Sequence, residues 1–262
     1  MMAALESLPD SAQEQLRTAD PPTWTEPMLA TLTDRRFSGD GWLFERKLDG
    51  ERCLAFRNGT DGHLRSRNRK SLNAPYPELV EAIEGQSPTP FVLDGEVVAF
   101  SKGISSFSRL QQRMQIDDPE EARESRVAVY YYVFDLLHLD GYDLTNLALR
   151  NRKSVLKKAF SYDDPLRFTP HRNTEGEAFF EEACEKGWEG IIAKPLSPRP
   201  LDALAEVQVR TAAGVRDRGL HRSARRARWL RCTAAGGLRP QRPGVRGKGG
   251  HRLRRRDTPH TA

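Results

Sequence analysis

The chain has 262 residues, a mass of 29.7 kDa and a formal charge of +6, enough for one large domain or two small ones with a sizeable core. No apolar run approaches the roughly 18–20 residues of a membrane span, and no charged-then-apolar segment opens the chain, so a membrane or secreted class is not expected. Cys53, Cys184 and Cys232 are odd in number and lack metal-ligand spacing, which points to a reduced, cytoplasmic setting.

In chain order, residues 1–20 form an N-terminal helical segment, with apolar spacing predicting a helix from Ala3 to Thr18 before the breaker Asp20-Pro21-Pro22. Strand-like runs follow at Trp42–Leu48, Arg52–Arg57, Phe91–Phe100, Val127–Leu137 and Gly190–Ala193, rich in Val, Ile, Phe, Tyr and Leu. Helix-like runs lie between them at Pro77–Ile83, Phe107–Met114, Leu147–Phe160 and Glu175–Lys186. Local strand pairs mixed with helices predict an α+β body rather than a regular βαβ array.

Residues 197–262 differ in texture. They hold 17 Lys and Arg against 4 Asp and Glu, a net of +13, leaving residues 1–196 with 25 against 32, a net of −7. The segment contains no Ile, Phe, Tyr, Asn or Met, and such a composition predicts a disordered basic tail that cannot bury enough apolar surface to offset its ordering entropy. The basic pI therefore says nothing uniform about the body.

The sharpest chemical feature is Glu45-Arg46-Lys47-Leu48-Asp49-Gly50-Glu51-Arg52, a Lys-x-Asp-Gly-x-Arg string between two strand-like runs. Asp-Gly predicts a hairpin turn, with Lys47 projecting beside it. A lysine acts as a nucleophile only when deprotonated, and burial or a nearby cation such as Arg52 favours that state. A surface hairpin with solvated charges is the duller reading. Phe134 could equally be a core residue, Glu96 a turn carboxylate and Arg67 part of a charged loop. His138 and His171 match no motif, and Cys53 and Cys184 read as small buried side chains.

The string resembles the first motif of the covalent nucleotidyltransferases: ATP-dependent DNA ligases, RNA ligases and mRNA capping enzymes. Ser66-Arg67-Asn68, Leu93-Asp94-Gly95-Glu96, Val133-Phe134-Asp135-Leu136-Leu137 and Glu189-Gly190-Ile191-Ile192-Ala193-Lys194 resemble the later motifs, in the family's order. Pro27-Met28-Leu29-Ala30, Phe107-x-x-Leu110-Gln111-x-Arg113 and Leu147-x-x-Arg150-x-x-Lys153 resemble bacterial ATP-dependent DNA ligases of the non-homologous end-joining type. The resemblance implies an adenylation domain over residues 21–196, with antiparallel sheets and flanking helices.

It also implies roles. Lys47 would attack the α-phosphate of ATP. Glu96 and Glu189 would help hold Mg²⁺ (or Mn²⁺), and the ribose. Phe134 would stack on adenine, and Glu45 would read its edge. Arg52 and Arg67 would bind ribose or phosphate, and Lys194 would neutralise phosphate. The implied substrate is nicked or broken double-stranded DNA, with end-joining proteins as possible partners. An RNA ligase or capping-type enzyme is the alternative within the class, and a non-catalytic basic nucleic-acid-binding protein the alternative outside it.

After Lys194 the family shows a Trp-x-Lys-x-Lys strand and then an OB-type β-barrel. Neither is legible here, so both the last strand of the adenylation sheet and the barrel are expected to be missing. Read one base later with permitted codons, Leu201–Thr211 gives Ser-Thr-Arg-Trp-Arg-Lys-Phe-Lys-Cys-Val, and the following residues continue in barrel-like fashion with Gly turns. A frameshifted tail, and with it an impaired ligase, is the expectation.

Overall fold

Alternating side chains on two β-sheets build the molecule and leave a cleft lined by both. The computed structural model describes residues 3–197 and 205–208. Its elements are α1 (Ala3–Glu6), α2 (Asp10–Gln13), β1 (Arg17–Thr18), β2 (Thr31–Thr33), β3 (Gly39–Arg46), β4 (Glu51–Asn58), β5 (Asp61–Ser66) and α3 (Pro77–Glu84). There follow β6 (Phe91–Ser101), β7 (Ile104–Ser105), α4 (Phe107–Met114), α5 (Pro119–Glu124), β8 (Val129–Leu139), β9 (Tyr142–Asp143) and α6 (Leu149–Ala159). The last are β10 (Leu166–Phe168), β11 (His171–Thr174), α7 (Gly176–Glu185), β12 (Gly190–Pro195) and β13 (Ala205–Gln208).

The first sheet runs β1-β9-β8-β6-β4-β5, with β10 on β8 and β7 on β6; the second runs β11-β3-β12-β13-β2. Pairing is antiparallel except β10 with β8 and β13 with β2. The expected antiparallel α+β body is thus present. On β8 the alternation is direct: Val129, Tyr131 and Val133 are buried, while Tyr130, Tyr132 and Phe134 are half-buried on the other face. The buried face joins Leu93, Val97, Leu79, Ile83, Leu110, Val155 and Leu156 in the main core, under α3, α4 and α6. Each such side chain contributes roughly 1.5–3 kcal/mol by leaving water. A second core sets Phe179, Phe180 and Ala183 of α7 against Phe44, Ile191 and Ala193.

Three expectations change. The Ala3–Thr18 helix is two short helices and a strand, because Pro9, at the start of α2, carries no N–H and breaks the run. Asp49-Gly50 closes no hairpin. Strand β3 lies in the second sheet and β4 in the first, so the chain crosses between sheets there. Gly50 is required by close approach: a Cβ there would lie 2.2 Å from the Val97 carbonyl oxygen. Asp49 instead accepts from the Phe107 amide at 3.0 Å, at the start of α4.

The third change concerns the tail. Residues 205–208 form a strand, pairing Ile191 with Val207 and Ile192 with Glu206 on one side and Leu32 with Glu206 on the other. Backbone hydrogen bonds on both sides suffice for four residues. A strand therefore stands where the last strand of the sheet was expected to be missing. The other expectations for the tail, disorder and the missing barrel, lie outside the described residues. Among the described residues no helix is long and apolar enough to cross a membrane.

Candidate active site

The cleft encloses about 650 Å³ and is lined from both sheets: Glu45, Ile192 and Lys194 from the second, Arg52, Glu96 and Phe134 from the first, with Lys47 and Gly50 at the crossing. Arg67 and Asn68, in the turn after β5, are exposed on its rim. Seven of the eight expected site residues line it directly. The eighth, Glu189, is paired to Lys47.

Lys47 follows the last residue of β3. Its amide donates to the Gly190 carbonyl at 2.9 Å, which brings the start of β12 alongside. That contact sets Glu189 next to the lysine, and the Lys47 ammonium donates to the Glu189 carboxylate. Glu96 lies on β6, opposite Arg52 and Tyr132. Burial pushes its carboxyl up to about 8; Arg52 and Lys47 pull it down, while Asp94 and Glu189 add to the rise. So two carboxylates, Glu96 and Glu189, share the surroundings of one lysine.

Among the described residues no group of three or more His, Cys, Asp and Glu could hold a metal ion by itself. The raised Glu96 carboxyl nevertheless marks a spot short of positive charge. Two carboxylates there fit a hard cation that takes its other ligands from phosphate and water.

Arg52 is not an isolated cation. Its Nε and Nη2 donate to both oxygens of Asp94, at 2.5 and 2.6 Å, and Nη2 also reaches the Met28 carbonyl at 3.3 Å. Burial opposes its charge, but Asp94 outweighs this and raises its pKa. Its charge is thus matched before it can act on Lys47, and what it offers the cleft is a guanidinium 4.7 Å from the Phe134 ring centre. Phe134 belongs to neither core. It is half-buried and lines the cleft, against the duller reading of a core phenylalanine.

At the cleft floor Glu45 meets two lysines. Oε1 accepts from Lys153, and Oε2 lies 2.7 Å from the Lys194 ammonium. Lys153 also donates to the carbonyls of Phe134 and Thr169, each at 3.2 Å. Burial works to raise the Glu45 pKa, yet two facing lysines hold it below the usual carboxylate range. Burial also lowers Lys153, which faces one carboxylate and a second lysine. The Glu45 direction follows from two cations sharing one anion, and the Lys153 direction from burial first, with the neighbouring Lys194 adding to it. Nearby, Asp135 and Arg152 form a fork with two bonds of 2.7 Å.

Lys153 was visible only as part of a spacing motif, and Asp94 only as part of a motif string; neither carried a role. Partners inside an ion cluster leave no periodic signal, because burial of a charge is decided by what it meets across the sheets. His138 and Cys53 behave as the duller reading has it, while Cys184 is half-buried rather than buried. His138 is buried and hydrogen-bonded to the Ala19 carbonyl at 3.0 Å, and burial pushes the Cys53 thiol up.

Two sheets joined by the chain crossing at residues 47–50, with a lysine, two carboxylates and an aromatic ring in the cleft between them, define the adenylation-domain fold of the covalent nucleotidyltransferases. Residues 27–199 match the family described as "ATP dependent DNA ligase domain". The chain belongs to that family. A probable DNA ligase of Aquifex aeolicus is 30% identical over 187 residues, covering 69% of this chain and 32% of that protein. The multifunctional non-homologous end joining protein LigD of Mycobacterium bovis is 35% identical over 172 residues, covering 64% of this chain and 21% of that protein. The chain thus spans about a third or less of these relatives. Among solved structures, a mycobacterial DNA ligase D complexed with ATP and MES superposes with a TM-score of 0.54 at 27% identity, over 69% of this chain and 60% of that one.

Proposed function

We propose that the chain carries the adenylation step of an ATP-dependent DNA ligase of the end-joining type, through a lysyl-AMP on Lys47. The observation that carries this reading is the placement of Lys47 in a cleft beside Glu189 and Glu96, with Phe134 in the same cleft. The Lys47 nitrogen gives up a proton through its Glu189 hydrogen bond and forms a bond to the α-phosphorus of ATP. The bridging P–O bond breaks, and its electron pair leaves with pyrophosphate. Splitting one transfer into two easier ones is the advantage of the covalent route.

The other residues take supporting roles. Phe134 stacks on adenine, Glu45 reads its edge, Arg52 and Arg67 bind ribose or phosphate, and Lys194 neutralises phosphate. Glu96 and Glu189 hold Mg²⁺ or Mn²⁺, which supplies charge neutralisation at the phosphates. In the complete reaction AMP passes to a 5′-phosphate at a nick or break in double-stranded DNA, and the 3′-hydroxyl displaces it. End-joining proteins would be partners, in the cytoplasm.

For this particular chain we infer weak sealing. In the shifted reading frame the two lysines of Trp-x-Lys-x-Lys fall in the codons of Glu206 and Gln208, the positions that β13 sets opposite Ile192 and Gly190. That coincidence supports a frame change ahead of β13, the strand that pairs with β12 on the side away from β3. Losing preorganised positive charge at a transferring phosphoryl group lowers the rate by orders of magnitude.

The test is incubation of the full chain with α-labelled ATP or GTP and Mg²⁺. A covalent label from ATP, absent in Lys47→Ala, is expected. No label, or label from GTP alone, would overturn the reading. Sequencing the gene decides the frameshift: a +1 frame that does not read through as a barrel removes it.

A further inference from the structure

We propose that Lys153 is a positioning residue that fixes Glu45 as a charged hydrogen-bond acceptor, and so sets a preference for a 6-amino purine over a 6-oxo purine. The proposal rests on the reading of the cleft as a nucleotide site, not on covalent chemistry at Lys47.

Lys153 is buried on α6 and its ammonium has three acceptors from separate parts of the chain: Glu45 on β3, the Phe134 carbonyl on β8 and the Thr169 carbonyl. The Leu149 amide at the start of α6 donates to the Leu196 carbonyl at 2.9 Å, just past β12, so the helix itself is tied to the second sheet. With all three of its donors engaged, Lys153 cannot leave without orphaning buried acceptors. Lys194 differs. It touches the other Glu45 oxygen and the Phe134 ring, and it lines the cleft. It is the partner that a phosphate can draw away.

When Lys194 turns to a phosphate, Oε2 of Glu45 opens toward the cleft while Oε1 stays with Lys153. An ionised carboxylate only accepts. A 6-amino group donates to it; a 6-oxo group meets it lone pair to lone pair. The other ionisable groups around Glu45 cannot substitute for Lys153. Asp135 on β8 is committed to Arg152, and His171 on β11, paired opposite Glu45, has its pKa lowered by burial. Without Lys153, a buried carboxylate deserted by Lys194 takes up a proton, becomes a donor as well, and loses its discrimination.

The measurement is equilibrium binding of ATP and of inosine triphosphate to the full chain. Wild type should favour ATP by about tenfold, the scale of one mismatched buried hydrogen bond. Lys153→Met should bring the ratio close to one, and Lys153→Arg should restore it. A purely structural lysine would weaken both nucleotides alike. Equal binding by wild type, or an unchanged ratio in Lys153→Met, overturns the proposal. Should Lys153→Met not melt cooperatively, the wild type decides alone. Its ratio should stay flat from about pH 7.5 to about pH 6, because a lysine-held carboxylate does not titrate there, and a ratio that falls over that range overturns the proposal. Absence of a covalent label on Lys47 would touch the ligase reading and leave this measurement intact.

Discussion

The Lys194 ammonium lies 3.9 Å from the centre of the Phe134 ring. The ring's electron-rich face holds a cation well, and the Arg52 guanidinium stands 4.7 Å from the same centre. In this structure the ring is therefore engaged by cations, and base stacking competes with them. Replacing Phe134 by Leu should weaken ATP binding by roughly 10- to 100-fold, since stacking one base on an aromatic side chain is worth about 1–3 kcal/mol. Because Phe134 lies outside both cores, the same variant should change folding stability by less than about 1 kcal/mol in urea titration. A large loss of stability would return Phe134 to the core.

Asp135 and Arg152 form a buried fork beside the cleft floor. Arg152→Met leaves Asp135 without its cation and should cost about 3–5 kcal/mol of stability. Adding Asp135→Asn to that variant should recover part of the loss, because no unpaired charge then remains. A double variant less stable than Arg152→Met would rule out this account. Urea midpoints of the three variants provide the comparison.

The same carboxyls set the acid side of the stability profile. Asp135 is subject to a burial cost that Arg152 more than offsets, so its folded pKa lies below its unfolded one; Glu45 behaves likewise with its two lysines. Groups of this kind bind more protons when unfolded. Their stabilisation is present above the unfolded values, near pH 4, and is lost as pH falls through the folded ones. Glu96 acts in the opposite sense: burial pushes its folded carboxyl up to about 8, so its contribution grows as pH falls through that value. Denaturant midpoints should therefore rise from about pH 8 to about pH 5 and drop steeply below about pH 4. A Glu45→Gln, Asp135→Asn double variant should flatten that drop.

Gly50 sits where the chain leaves one sheet for the other. A Cβ there would meet the Val97 carbonyl oxygen at 2.2 Å and the Val98 side chain at 2.7 Å. Gly50→Ala should cost about 3 kcal/mol, since backbone cannot yield as a flexible side chain would. It should also reduce any labelling of Lys47 well beyond the loss of folded protein. Gly59→Ala, with nothing within 4 Å but a left-handed φ of 71°, should cost only about 1 kcal/mol.

Much of the body was legible because its strands are long and apolar: Phe91–Phe100 and Val127–Leu137 fall within a residue or two of β6 and β8. The cleft residues were legible because the motifs lie on those strands and on the crossing at Lys47. The crossing itself was not, since Asp-Gly has the same local chemistry whether it closes a hairpin or lets a chain pass between sheets. Proximity of Val97, fixed by a strand some fifty residues away, decides the matter. The Glu45–Lys153 pair was hidden for the same reason. Strand β13 was missed because a strongly Arg-rich composition masked four residues whose backbone pairs on both sides.

That short strand has a consequence for handling the protein. β13 is what separates β12 from β2, and it supplies the partner of each. A truncation after residue 197, meant to discard the basic segment, would strip β12 of its neighbour and leave an open row of amide and carbonyl groups. Such a row pairs readily with another copy. The shortened protein should scatter light as oligomers where a version ending after residue 208 stays monodisperse. The arginines beyond residue 208 can be trimmed, but residues 205–208 act as the selvedge that keeps the sheet from joining to its neighbours.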